Sequence, residues 1–564
     1  MRGGDALAAQ LVREGVRHVF GVPGVQLDFA VDGLARVADH ISYVNTRHEQ
    51  AAAYMADGYA RTTGDVGVCM VVPGPGLLNA GAGLATAYAC SSRVLCIVGD
   101  IPSPAIGRGL GLLHEIPDQS LVLRSLTRWS ARATEPADVP RLVREAIHQL
   151  RTGIPGPVGL ELPPDVLQAS GEVALLPPTD DDVCADLDAE LVRKAIDLLA
   201  QSAHPAVYAG GGVVAAGASA VLQQLAERLT APVVMSMNGR GALDDRHPLA
   251  LTSVAGREAL ARADVVLAVG SRFLDGQEQV ALRPDTRLIL LNIEPRHLGE
   301  PRAPTLALHG DASRGLTMLC EGLTNVTASS WQPAELQSLR AWANQLLMQV
   351  EPQYSWVRAL RAALPEDGIL VNEFTQVGYM AMVAFPVYGP RTYVGPGYQG
   401  TLGYGFPTAL GVRVAHPHRT VLSITGDGGF GFGLAELATA RKHGIGLVTV
   451  VFNDDAYGNV RRTQLEQFDS RVIGSELTNP DFVRLAESYG VNSARATTPA
   501  ELEGLLRETF SGGSEPVVIE VPVGPMPNPF RTLRQARYPR TANPYPLHQG
   551  GEGGRVRRSN RSPS

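Results

Sequence analysis

Short apolar runs alternate with alanine- and glycine-rich stretches of helical length along almost the whole chain, and this pattern constrains its fold more than any other feature. Runs such as VGVCMVV (66–72), RVLCIVG (93–99), PVGLEL (157–162), DVVLAVGS (264–271), TRLILLNI (286–293) and TVLSITGD (420–427) have no polar face. That suits strands of parallel sheets covered by helices on both sides. Segments 49–61 and 77–88 have the length and composition of the covering helices. The expected class is therefore α/β with mainly parallel sheets. A chain of 564 residues is too long for one such layer set. Three consecutive α/β units are expected, at 1–175, 188–325 and 350–530, with the Pro/Asp-rich stretch 176–188 as a linker. No short-period repeat is visible.

Charge narrows the partners. The formal net charge is -7, but residues 531–564 hold eight Arg against one Glu, so this end carries +7 and the rest -14. An acidic body argues against nucleic acid as a partner, and the Arg-, Ser- and Gly-rich end reads as a disordered, solvated tail. The first twenty residues form an amphipathic helical pattern without the apolar core of a signal peptide. No run of 18 apolar residues occurs, so no membrane span is expected. Five cysteines lack metal-type spacing, and Cys69, Cys90 and Cys96 lie in apolar runs as core thiols. A reduced, cytoplasmic protein is expected.

The chemistry concentrates at two places. Gly426-Asp427-Gly428-Gly429 follows one strand-like run, and Asn453-Asp454 follows the next, ahead of Ala456, Tyr457 and Gly458. Ligands of parallel sheets collect at the carboxyl ends of strands. An Asp on one end and an Asn or Asp on its neighbour supply the oxygen ligands that a hard cation requires. The glycines after Asp427 read as a flexible turn leading into a helix whose N–H groups face a diphosphate. The second place is RHEQAAAYMADGYARTTG (47–64), where Glu49 stands just after the strand-like ISYVNT (41–46), placed for general acid/base work.

Together these segments resemble the thiamine-diphosphate enzyme superfamily, and within it the group of acetolactate synthase, pyruvate oxidase and benzoylformate decarboxylase. The resemblance runs from the start to about residue 529. It implies a first domain that holds the aminopyrimidine, a Rossmann-like middle domain, and a third domain that holds the diphosphate and Mg²⁺. Glu49 takes the position of the acid/base that protonates the aminopyrimidine. Asp427 is a metal ligand, and counting back four from Gly458 makes Asp454 the second, where relatives carry Asn. Asn453 stands beside it, and the backbone carbonyl falls to Ala456. Pro23-Gly24 and the loop with Gly74 and Gly76 resemble active-site loops, although each also reads as an ordinary turn. Leu402 matches the bulky residue that holds the cofactor bent, and reads also as a core leucine. The two halves of the cofactor site come from different subunits in that family, which implies a homodimer or homotetramer.

The match departs in two regions. Relatives that contain FAD carry a Gly/Met/His-rich stretch where this chain has LTSVAGREALARADVVL, so FAD stays open as a third cofactor with the sequence weighing against it. A Phe-Gln pair near the reacting carbons of acetolactate synthases is replaced by His114-Glu115. His114 reads equally as a proton shuttle and as a surface-loop histidine. The function implied is decarboxylation of a 2-oxo acid, with ligation of the remaining fragment to a second carbonyl. The alternatives are a decarboxylase or C–C lyase of a bulkier 2-oxo acid, an oxidase, and a non-catalytic regulatory or assembly protein on the same fold.

Overall fold

A computed structural model describes residues 1–179, 186–275, 278–299, 302–324, 329–513, 515–536 and 538. The apolar runs become strands within a residue or two of their expected bounds. The first sheet contains β1 (His18–Gly21), β2 (Ser42–Asn45), β3 (Gly67–Val71), β4 (Val94–Gly99), β5 (Trp129–Arg132) and β6 (Val158–Leu162). Their order is β2-β1-β3-β4-β6-β5, and every pair is parallel.

The second sheet starts with β7 (Pro205–Ala209), β8 (Val233–Met235), β9 (Ala250–Leu251) and β10 (Val265–Val269). A short antiparallel hairpin follows, β11 (Leu274–Asp275) with β12 (Glu278–Gln279), and then β13 (Arg287–Asn292) and β14 (Leu306–His309) complete the sheet. Its order is β14-β13-β10-β7-β8-β9, again parallel throughout. The chain reverses direction between β7 and β10, the arrangement of doubly wound nucleotide-binding sheets.

The third sheet contains β15 (Ile369–Asn372), β16 (Tyr393–Val394), β17 (Val421–Gly426), β18 (Val448–Asn453), β19 (Asn492–Arg495) and β20 (Val517–Pro522). Its order is β16-β15-β17-β18-β20-β19, all parallel. Numbered from its own first strand, it repeats the order of the first sheet.

These two sheets share a core. On one face of the first sheet, Leu7, Leu11, Val143 and Ile147 pack on Val68, Leu95 and Leu160. On the other, helices Glu49–Thr63 and Pro75–Cys90 bury Tyr54, Leu77 and Leu84 together with Tyr404, Phe406 and Leu410 from the third unit. Helix Glu49–Thr63 lies across helix Gly405–Ala415 at glycines on both sides, because a Cβ at Gly58 would overlap the Thr408 carbonyl and one at Gly411 the Met55 carbonyl. Each large side chain fully buried there contributes about 1.5–3 kcal/mol, so the glutamate helix is anchored firmly to the third unit.

Three local expectations need correction. The glycines after Asp427 form no loose turn: a one-turn helix, Asp427–Gly431, starts directly at the end of β17. The chain does not become a tail at 531, since helix Pro529–Gln535 buries Leu533, and Tyr538 packs edge-on against Trp342. The rest of the basic end lies outside the described residues. Cys69 and Cys96 are buried, as expected, on adjacent strands, whereas Cys90 is half-buried at the end of its helix. Among the described residues no helix is long and apolar enough to cross a membrane.

Candidate active site

In the first sheet, β2 and β3 lie on opposite sides of β1, so a crevice opens beyond the carboxyl ends of β1 and β3. Pro23-Gly24 follows β1, the Gly74–Gly76 loop follows β3, and the two loops touch: a Cβ on Gly24 would overlap Val72. Glu49 enters this crevice because His48 caps the following helix, its Nδ1 accepting from the Gln50 N–H at 3.1 Å. The Glu49 carboxylate accepts a hydrogen bond from Asn79 Nδ2 at 3.0 Å, and Glu49 Oε1 lies 3.6 Å from where a Cβ on Gly76 would sit. The backbone just before it is fastened from the third unit, where the Glu436 carboxylate accepts from Arg47 N at 3.0 Å and His48 N at 3.0 Å.

His114 belongs to the same crevice. Its backbone adopts φ 69°, a region costly for a residue with a side chain, and its carbonyl packs on Gly74. Two glutamines hold the segment in place. Gln26 Oε1 lies 3.2 Å from His114 Nδ1, and its Nε2 donates to the Leu113 carbonyl at 3.2 Å. Gln119 Oε1 accepts from Gly74 N at 2.9 Å while its Nε2 donates to the Gly99 carbonyl at 2.9 Å. Glu49, Gly74, Gly76 and His114 thus gather in one crevice from three segments of the chain.

The third sheet opens its crevice between β15 and β17. Asp427, almost fully buried, accepts from Asn479 Nδ2 at 2.7 Å. The same amide nitrogen lies 3.0 Å from Asn453 Oδ1 and 3.1 Å from Asp455 Oδ1, so it draws together oxygens from the ends of β17 and β18. Burial raises the Asp427 carboxyl above its ordinary range. Burial and the facing Asp427 carboxylate push Asp454 up to about 7. Two acids in contact away from water disfavour double ionisation unless a cation lies between them. The pair therefore fits a divalent ion, and Mg²⁺ asks for only one or two carboxylates besides phosphate and water oxygens. Among the described residues no cluster of three His, Cys, Asp or Glu side chains offers a metal site of another kind. Gly458 backs Asp454 so closely that a Cβ would overlap its carboxylate, and the Tyr457 ring packs on Gly428. Ala456 is buried beside them.

Leu402 is 39% exposed rather than packed in the core. The contacts described within one chain do not join Glu49 to the Asp427 group. Several residues here escaped the sequence reading: Asn79, Gln26, Gln119, Glu373, Glu436 and Asn479. Most are single amides or acids in unremarkable surroundings, but Glu373 follows a strand-like run and the strand-end logic that singled out Asp427 applies to it equally.

A cavity of about 780 Å³ opens where the central sheet reverses, lined by Gly211, Asn238, Arg272, Glu294 and Tyr398 among others. Its size is within the range of cofactor pockets. The glycines there have a packing role of their own, since a Cβ on Gly212 would lie 2.6 Å from the Gly270 Cα. The Arg272 guanidinium lies 4.7 Å over the Tyr398 ring.

Two crevices of the same order and a central sheet of nucleotide-binding order define an α/β enzyme built to hold a phosphorylated cofactor. The chain belongs to the thiamine pyrophosphate enzyme family, and it is a thiamine-pyrophosphate-dependent enzyme. Family descriptions match in sequence order: the N-terminal TPP binding domain at residues 1–122, the central domain at 192–319 and the C-terminal TPP binding domain at 375–521. The chain is 33% identical to a probable acetolactate synthase large subunit of Methanocaldococcus jannaschii, covering 93% of this chain and 92% of that protein. It is 36% identical to the probable 2-ketoarginine decarboxylase AruI of Pseudomonas aeruginosa, over 92% and 94% respectively. Acetolactate synthase isozyme 3 large subunit of Escherichia coli is 31% identical, over 90% and 92%. A non-catalytic assembly protein is thereby set aside.

Proposed function

We propose that this enzyme releases CO₂ from a 2-oxo acid such as pyruvate and joins the remaining fragment to a second carbonyl compound, the acetolactate-synthase type of reaction, with thiamine diphosphate and Mg²⁺. The observation that carries the reading is the contact between buried Asp427 and half-buried Asp454 at neighbouring strand ends. The two side chains and the Ala456 carbonyl hold the cation, with Asn453 beside them. Gly426, Gly428, Gly429, Tyr457 and Gly458 border the diphosphate. When bound, thiamine diphosphate would supply a carbon nucleophile for the carbonyl and an electron sink for the bond broken as CO₂ departs. Glu49 exchanges a proton with the aminopyrimidine N1′, and Asn79 keeps its carboxylate aimed. Leu402 would support the cofactor. His114 moves a proton on the substrate side.

The division 1–175, 188–325 and 350–530 is the working domain scheme. The two crevices pair between subunits of at least a homodimer, or a homotetramer, in the cytoplasm, with no nucleic-acid or membrane partner. A second reading, decarboxylation or C–C cleavage of a bulkier 2-oxo acid, is favoured by His114-Glu115 and by the similarity to a probable 2-ketoarginine decarboxylase. The deciding experiment supplies pyruvate, thiamine diphosphate and Mg²⁺ and identifies the products. Acetolactate is the expected result. CO₂ with free aldehyde, or bound cofactor without turnover, selects the second reading. Because the Gly/Met/His-rich stretch is lacking, the reaction is proposed to need no FAD: the purified protein should be colourless and active without added flavin. A yellow protein whose activity follows its flavin content would revive the oxidase.

A further inference from the structure

We propose that Glu373 is a positioning residue that fixes the height of Leu402 above the Asp427 turn, an inference that rests on the cofactor reading above. Glu373 directly follows β15 and is 2% exposed, and its N–H donates to the Ile424 carbonyl at 3.1 Å, which ties it to β17. Glu373 Oε1 accepts from Gly403 N at 2.8 Å. Oε2 accepts from Gly405 N at 3.2 Å and from the Thr425 hydroxyl. The two backbone N–H groups can only donate, so both carboxyl oxygens accept; burial raises the Glu373 carboxyl above its ordinary range, and these hydrogen bonds act against that rise. Among the described residues no Lys, Arg or His forms an ion pair with it.

The other side of the carboxylate faces the metal turn. A Cβ on Gly429 would overlap Glu373 Oε1, so the carboxyl group is wedged between the 403–405 backbone and Gly429. Leu402 needs such a wedge because its own segment is irregular. Gly400 and Gly403 both take positive φ, 58° and 80°, and neither strand nor helix covers Leu402. From the first unit, Thr401 is held by the Tyr54 hydroxyl at 2.7 Å. Glu373 provides the matching hold from the third unit, on the residue after Leu402. An apolar side chain of the same size would avoid desolvating a charge but would leave buried donors unpaired and the segment loose. A displacement of about 1 Å at a reacting centre costs on the order of a hundredfold in rate.

The test follows exchange of the C2 proton of enzyme-bound thiamine diphosphate into D₂O by quenched-flow NMR, beside titrations of thiamine diphosphate and Mg²⁺ affinity. In Glu373→Gln, exchange should slow by about tenfold to a hundredfold, with both affinities held within about a factor of three. Thr425→Val, which removes one donor and keeps the carboxylate, should slow exchange about twofold to tenfold. Asp264→Asn serves as a control: this carboxylate braces a turn of the central unit, accepting from Ala203 N and His204 N at 2.9 Å, and the variant should exchange at the parent rate. If Glu373→Gln does not fold, Thr425→Val decides by the same criterion. Parent-rate exchange in the folded Glu373 variant, or in Thr425→Val when that variant decides, overturns the inference, and so does an equal slowing in Asp264→Asn. A parent protein that neither binds the cofactor nor exchanges its proton overturns the cofactor reading itself, and the positioning role with it.

Discussion

The first and third sheets pair their strands in the same order and open their crevices at the same point, yet the two crevices hold opposite kinds of chemistry. The first presents one carboxylate, Glu49, held by an amide beside a glycine-proline loop that Gln119 ties down, while Gln26 holds the adjoining Leu113-His114 segment. The third presents two acids in contact, Asp427 and Asp454, and the Asn479 amide that gathers the oxygens around them. A single carboxylate held by neutral partners is suited to passing a proton. A buried pair is suited to holding a cation and the phosphates that share it. Strand order fixes where a ligand lies, and the few residues just beyond the strand ends fix what it is.

Removing the Glu49 carboxylate should separate the two crevices most clearly. Glu49→Gln is expected to cut turnover by about 10²–10⁴-fold, while a fluorescence titration finds cofactor binding little changed. Turnover at the parent rate would falsify the assignment of Glu49. The third crevice should respond in the opposite way. Asn479→Ala loosens the oxygens around the cation and should weaken Mg²⁺ binding by about 10–100-fold, with turnover recovering at saturating Mg²⁺. A variant that stays slow at saturation would mean that this crevice does more than hold the ion.

The smallest effect concerns pH. An unfolded aspartate titrates near 3.9, whereas burial and Asp427 push Asp454 up to about 7. Between these values the folded protein keeps a proton that the unfolded chain has released. The stability contributed by Asp454 is therefore full below about pH 4 and is lost as pH rises to about 7. Without Mg²⁺, the thermal midpoint of Asp454→Asn should gain on the parent across that window and hold level above it. Saturating Mg²⁺ should narrow the gap by supplying the charge that the pair lacks. A gap that ignores both pH and Mg²⁺ would show the two acids to be uncoupled.

How legible these crevices were from the sequence differed in the same way. Gly426-Asp427-Gly428 and Asn453-Asp454 stand directly after apolar runs, and Glu49 sits in a distinctive helix, so position along the chain pointed to them. Asn79, Gln119, Glu436 and Asn479 matter through partners 20 to 389 residues away, as in Gln119 with Gly99 or Glu436 with Arg47, and no local pattern marks them. The helical turn at Asp427 was misread because glycines suggest looseness, whereas burial against Glu373 and Tyr457 makes glycine necessary for close approach.

By itself, the sequence determined the alternation of strands and helices, the parallel character of the sheets and the strand ends where ligands collect. Those properties follow from local hydrophobic period and from residues adjacent in the chain. Only the tertiary structure decided that the first and third sheets share one strand order, that helices Glu49–Thr63 and Gly405–Ala415 cross at two glycines, and that the Glu373 carboxyl lies between Gly403 and Gly429. A buried strand reads the same whichever neighbour it pairs with, because both its faces are apolar in any order. Pairing is settled by which distant surfaces fit together once the chain has folded.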